Sequence, residues 1–193
     1  VISAAKEKNI PIRIGVNGGS LEKELLNKYG GVTAEALVES ASRHIEILEQ
    51  QNFKDIIVSM KASNVPLCTK AYMLFSKQYN YPLHVGITEA GTLYSGIIKS
   101  AAGLSAILSR GIGDTIRVSL TSDPVEEIKC AKQVLQSLGI RRFGVEIISC
   151  PTCGRTKVDL ITLAKEVEKL TMHIQKPLTI AVMGCAVNGP GEA

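Results

Sequence analysis

The chain has 193 residues, 45% of them hydrophobic and 21% charged, with 17 glycines and a formal net charge of +4. That length fits one large or two small domains, and the balance is that of a soluble globular protein able to bury a sizeable core. The weak positive charge, without a Lys/Arg stripe, excludes a nucleic-acid-binding footprint but suits an anionic small molecule. No apolar run approaches the roughly 20 residues that cross a bilayer, and no cleavable signal pattern is present. Five cysteines, an odd number, fit metal chemistry in a reducing compartment better than a disulfide framework, so cytoplasm is the expected location. A chain that starts at Val1 and stops just after Glu192 reads as a piece of a longer protein.

Val1 to Asn9 reads as the end of a helix, Pro11 to Asn17 as a strand, and Gly18-Gly19-Ser20 as a turn. Leu37, Val38, Ala41, Ile45 and Leu48 recur at helical spacing, which predicts an amphipathic helix over 34–50. Asp55 to Lys61 is a strand, about 65–79 a helix, and Pro82 to Thr88 a third strand. Ser95 is the expected cap of a helix with a stripe of Ile97, Ala101, Leu104 and Leu108, and Thr115 to Leu120 is a fourth strand. Asp123 as N-cap, Pro124 at the first helical position, and Glu126 and Glu127 in the first turn mark the next helix. Its expected buried stripe is Ile128, Ala131, Leu135 and Leu138, and Gly139 is its stop. Strand (Gly144–Ser149), helix (about 159–172), strand (Leu178–Met183) and a Gly/Pro loop follow. This alternation calls for an α/β fold with a mostly parallel sheet. The pattern breaks near residues 139–144, which predicts one domain over 1–142 and a second over 143–193.

Side chains alternate across a strand, so each strand has two faces. Arg13, Gly15 and Asn17 oppose Ile12, Ile14 and Val16, while Ser59 and Lys61 share a face of the second strand. His84, Gly86 and Thr88 oppose Leu83, Val85 and Ile87, and Arg117 and Ser119 oppose Ile116, Val118 and Leu120. Parallel strands covered on both sides should be apolar on both. Here one face is polar in all four, with its cations toward the strand ends where α/β folds bind ligands. Arg13, Lys61 and Arg117 on one inner face call for a strong anion, phosphate or diphosphate, with Asn17, Thr88 and Ser119 completing its hydrogen bonds. Any one such Arg taken alone fits an edge position or a local ion pair, and His84 alone fits a hydrogen-bonded core histidine. Glu89 fits either an acid/base group or a helix-start carboxylate.

Cys150-Pro151-Thr152-Cys153 places two thiols three positions apart, and Cys185 lies 32 positions beyond Cys153 in Gly184-Cys185-Ala186-Val187-Asn188-Gly189-Pro190-Gly191-Glu192. Three Cys and Glu192 could complete an iron–sulfur ligand set. Zinc and thiol-redox readings compete at the CxxC turn. A zinc ribbon wants a second CxxC, and a thioredoxin-like motif leaves Cys185 and Glu192 unexplained. Cys68 and Cys130 fall inside helices and read as small buried apolar residues.

Six stretches in this order carry a resemblance over the whole chain: Ile-Arg-Ile-Gly-Val-Asn (12–17), Lys-Ala-Ser (61–63), Gly-Ile-Thr-Glu-Ala-Gly (86–91), Gly-Ile-Gly-Asp-Thr-Ile-Arg-Val-Ser-Leu (111–120), Cys-Pro-Thr-Cys (150–153) and the stretch 184–192. They resemble the 4-hydroxy-3-methylbut-2-enyl diphosphate synthases, iron–sulfur enzymes of the non-mevalonate isoprenoid pathway. The resemblance implies the C-terminal half of a (β/α)8 TIM barrel over 1–142 and part of a small α/β domain with a [4Fe–4S] cluster over 143–193. It implies reductive ring opening of 2-C-methyl-D-erythritol 2,4-cyclodiphosphate. By similarity Cys150, Cys153, Cys185 and Glu192 would ligate the cluster, Glu192 at an exchangeable position, with Asn188 nearby. Arg13, Asn17, Lys61, Thr88, Arg117 and Ser119 would hold substrate, and Glu89 would be the acid/base residue. Electrons would come from flavodoxin or ferredoxin, and in a homodimer the cluster domain of one subunit would cover the barrel mouth of the other. The absence of a long insertion before Cys150 matches the two-domain bacterial form. Half a barrel implies an inactive piece. The competing class is a non-catalytic phosphate-ligand module with structural zinc.

Overall fold

A computed structural model describes residues 1–192 as two compact units, Val1–Val134 and a second from Leu135 on. The first unit alternates helix and strand: α1 (Ile2–Lys8), β1 (Ile12–Asn17), α2 (Lys23–Tyr29), α3 (Ala34–Gln50), β2 (Ile56–Lys61), α4 (Val65–Gln78), β3 (His84–Gly86), α5 (Leu93–Leu108) and β4 (Thr115–Arg117). Helix α6 (Pro124–Ser137) runs across the division, and the second unit holds β5 (Val145–Ser149), α7 (Leu160–Thr171), β6 (Leu178–Val182) and α8 (Asn188–Glu192).

All described strand pairs are parallel: β1 with β2, β3 with β4, and β5 with β6. A single bridge, Val58 to Leu83, joins β2 to β3, so the first unit has the strand order of a barrel segment. The gap in that ladder has a cause. The Tyr72 hydroxyl, from α4, accepts from Met60 N (3.1 Å) and donates to His84 O (2.8 Å), taking the place of a direct strand-to-strand bond. Cys68, one helical turn earlier, lies 3.5 Å from Met60 O and 3.7 Å from Gly86 O. It is the small buried residue expected, and burial raises its thiol pKa, but it also offers weak S–H contacts to both strands.

The core lies between the outer face of the strands and the helices. Ile14, Val16, Val58, Met60, Val85, Ile87 and Val118 are buried, as alternation requires, against α3, α4 and α5. Thr33 caps α3 through Ala36 N (3.1 Å), Asn64 caps α4 through Leu67 N (2.9 Å), and Asp123 accepts from Val125 N (2.8 Å) at the start of α6. Gly139, at φ 68°, ends α6 in the left-handed conformation expected of a glycine stop.

The structure departs from the sequence reading in several places. Helix α2 was not expected; Leu21 and Leu25 bury its apolar side at i, i+4 spacing, too short a stripe to stand out. The cap of α5 is Thr92, not Ser95, which sits in the first turn with its hydroxyl 3.5 Å from Thr92 O. The buried face of α5 is Gly96, Ser100, Gly103, Leu104 and Ile107, because the helix lies so close that small residues must face β3. A Cβ at Gly103 would lie 2.3 Å from Ile87 Cγ1. In α6 the buried residues are Cys130 and Val134, one position off the expected stripe, and Ile128 is 59% exposed. β3 and β4 keep only three residues each, and the closing Gly/Pro stretch is the short helix α8.

Candidate active site

The inner face of the first unit is where alternation puts the polar set. Arg13, Gly15 and Asn17 on β1 register with Ile57, Ser59 and Lys61 on β2, and Gly86 on β3 registers with Arg117 on β4. Continuing the Val58–Leu83 register sets Lys61 beside Gly86, so Lys61 and Arg117 flank a residue with no side chain. Arg13 and Arg117 are exposed and Lys61 is half-buried. None of the described ion pairs uses any of the three. The protonation of Lys61 is displaced. Burial, then Arg117 and Arg13, push the Lys61 ammonium down to about 8. Burial, then Lys61, Arg13 and Arg117, push the His84 imidazole down to about 4. Cations grouped on one face with no described ion pair favour an anion beside them.

At the C-terminal ends of β1 and β2 a pocket of about 460 Å³ opens, lined among others by Asn17, Gly19, Ser63, Asn64 and Glu89. Asn17 is fixed by its own turn: its Oδ1 accepts from Gly19 N at 3.0 Å. Glu89 sits at φ 52°, a left-handed conformation that a residue with a Cβ adopts at a cost. Its Oε1 lies over Gly19, 3.8 Å from where a Cβ on that residue would be. Glu89 is therefore not a helix-start carboxylate; α5 begins at Leu93. Thr88 and Ser119 follow β3 and β4 directly and are both partly exposed.

In the second unit, β5 and β6 pair from Val145–Leu178 to Ser149–Val182, so Cys150 and the Gly184-Cys185 turn leave the sheet at the same end. Gly184 N lies 3.5 Å from Cys150 Sγ. The CxxC turn is closed by Cys153 N to Thr156 Oγ1 (3.1 Å) and Thr156 N to Cys153 O (3.0 Å), and tied to the Cys185 turn by Lys157 N to Gly184 O (2.9 Å). All three thiols are free. Hydrogen bonds from the Arg155 backbone and side chain lower the Cys153 thiol, and backbone N–H groups of Asn188 and Val187 lower that of Cys185. Three soft donors at one end of one sheet, Cys153 and Cys185 of them biased toward thiolate, fit an iron–sulfur centre in their chemistry. They are not drawn into a closed ligand set: among the described residues no three His, Cys, Asp or Glu side chains group closely enough to hold a metal ion. Glu192 is exposed at the end of α8, and Asn188 begins that helix.

Sequence reasoning overlooked Thr115 and Tyr72, which contact the site strands through His84; nothing in a single chain distinguishes a stitching Tyr from a core one.

The family model described as the GcpE TIM-barrel domain matches residues 1–132, and that of the GcpE protein C-terminal domain matches residues 146–193. The chain belongs to the GcpE family. A protein of Caldanaerobacter subterraneus subsp. tengcongensis named 4-hydroxy-3-methylbut-2-en-1-yl diphosphate synthase (flavodoxin) is 65% identical over all of this chain and 54% of its own length. Proteins of the same name from Clostridium acetobutylicum and Bacillus velezensis are each 61% identical over all of this chain, covering 55% and 52% of theirs. The chain thus spans about half the length of the curated relatives it matches. No helix among the described residues is long and apolar enough to cross a membrane.

Proposed function

We propose that this GcpE-family protein converts 2-C-methyl-D-erythritol 2,4-cyclodiphosphate into 4-hydroxy-3-methylbut-2-enyl diphosphate in bacterial isoprenoid biosynthesis. The observation that carries the reading is the unpaired cluster of Arg13, Lys61 and Arg117 beside the pocket of Asn17 and Glu89. The arginines can grip a diphosphate bidentately, Lys61 adds a point charge, and Asn17, Thr88 and Ser119 supply directional hydrogen bonds. In the reaction two electrons enter, one ring C–O bond breaks, and a hydroxyl departs as water. The Glu89 carboxyl, which lines the pocket, would give that hydroxyl its proton.

Cys150, Cys153 and Cys185, with Glu192 as the exchangeable fourth ligand, would hold a [4Fe–4S] cluster, with Asn188, the first residue of α8, beside it. When bound, that cluster supplies single-electron transfer from flavodoxin or ferredoxin. The reading assigns the barrel portion to 1–142 and the cluster portion to 143–193, in a cytoplasmic homodimer whose active sites each combine the two portions from different subunits.

Anaerobic reconstitution of the full-length protein should give brown protein with about four iron per chain, lost on Cys150→Ala. Colourless protein with stoichiometric zinc would overturn the assignment. Mixed dimers of Cys150→Ala and Glu89→Gln subunits should regain turnover, because one site of each dimer is then intact; two inert parents giving an inert mixture would sink the shared-site arrangement.

A further inference from the structure

One side chain on the inner face has no role in the account above. His84 is half-buried, and its Nδ1 lies 2.8 Å from Thr115 Oγ1 on β4. Its Nε2 is buried and has no hydrogen-bond partner among the described residues. Buried polar atoms left unpaired are costly, and in native proteins a water or a ligand meets them as a rule.

The register shows what lies beside that residue. Gly86 separates His84 from Thr88 on the inner face of β3, and it can carry no side chain: a Cβ there would lie 2.5 Å from Arg117 O. The imidazole therefore lies one inner-face position from Gly86, which Lys61 on β2 and Arg117 on β4 flank, and Lys61, Arg13 and Arg117 all act on it electrostatically. A fourth cation in this place would add repulsion. Burial and the three neighbours instead keep the ring neutral, with a single N–H. With the Thr115 hydroxyl donating to Nδ1, that proton is on Nε2.

We infer that His84 is a substrate-binding residue whose Nε2–H donates to the innermost phosphate oxygen of an anion held by Lys61 and Arg117, with Thr115 as the positioning residue that fixes its tautomer. A neutral donor gives direction where the charge is already supplied. The inference rests on the anion-site reading proposed above.

The test is calorimetric titration of the full-length protein with inorganic diphosphate. His84→Ala should bind about tenfold more weakly, the usual loss for one hydrogen bond to a charged group. His84→Gln, whose amide N–H reaches the Nε2 position, should recover most of that loss. His84→Asn, whose amide reaches only the Nδ1 position, should not. A histidine that merely packs and bonds to Thr115 predicts the reverse order of rescue, and that result overturns the inference, as does His84→Ala binding like wild type. The Gln and Asn variants decide the matter even if the Ala variant fails to fold. Wild-type protein that ignores diphosphate, or Arg117→Ala that binds it equally well, overturns the anion site itself. Loss of binding in Arg117→Ala with none in His84→Ala overturns only the role of His84.

Discussion

Gly86 and Arg117 pair across β3 and β4 so closely that a Cβ at position 86 would lie 2.5 Å from the Arg117 carbonyl oxygen. Backbone cannot yield as a flexible side chain can. Gly86→Ala should therefore push β4 outward, destabilise the protein by about 1–3 kcal/mol, the usual cost of overpacking, and weaken binding of inorganic diphosphate by displacing Arg117. Urea denaturation and calorimetry measure the two effects. Unchanged stability and affinity would show that the strands are less tightly registered than described.

Glu89 holds φ at 52°, where a glycine would rest without strain. Glu89→Gly should keep stability within about 1 kcal/mol of wild type, since relieved strain offsets the added freedom of the unfolded chain. Turnover should nonetheless collapse, because the carboxyl is gone. A residue that was only part of a turn would show the same stability and no kinetic effect. Chemical denaturation and steady-state assay of the reconstituted full-length protein separate these outcomes.

Lys61 is pushed down to about 8 from the ordinary 10.5, by burial first and then by Arg117 and Arg13. Below about pH 8 it is charged both folded and unfolded, so the cost of burying the charge is fully present. Between about 8 and 10.5 the unfolded chain holds the proton and the folded chain does not, so this contribution to stability improves as pH rises. Anion affinity runs the other way. Diphosphate binding should weaken above about pH 8 and take up protons there, because the anion restores the ammonium. Calorimetry in buffers of different ionisation enthalpy reads that uptake, and Lys61→Arg should abolish it, since guanidinium stays charged.

The inner face was legible because alternation on a strand is a two-residue rule that any sequence obeys, and Arg13, Asn17, Lys61 and Arg117 all fall on its polar side. Helix α3 was legible to the residue because its apolar stripe is long and Thr33 caps it. What escaped the sequence was set by close approach. Gly96, Ser100 and Gly103 of α5 face inward because β3 is too near for the larger Ile97 and Ala101, and hydropathy ranks them the wrong way round. The exposed Ile128 of α6 shows the opposite failure, an apolar stripe with only Cys130 and Val134 beside it buried. The three thiols were visible as a pattern, and the common sheet end of Cys150 and Cys185 follows from β5 and β6 being parallel; the exposed position of Glu192 at the end of α8 follows from neither.

Tyr72 is the side chain that decides how β2 and β3 meet. It is fully buried, and burial raises its hydroxyl pKa well above the ordinary value, so it stays a neutral donor and acceptor. Its oxygen takes the Met60 N–H and gives its proton to His84 O, filling the gap beyond the Val58–Leu83 bridge. Tyr72→Phe removes the oxygen and leaves two buried backbone groups facing each other. If the strands cannot close, both stay unpaired and stability should fall by about 1–3 kcal/mol. If they close to a direct bond, the loss should be smaller, but His84 and Gly86 would move relative to Lys61. Hydrogen exchange at the Met60 amide tells the two apart: fast exchange marks the open gap, and protection with altered diphosphate affinity marks closure. Wild-type exchange, stability and affinity together would mean that Tyr72 only fills space.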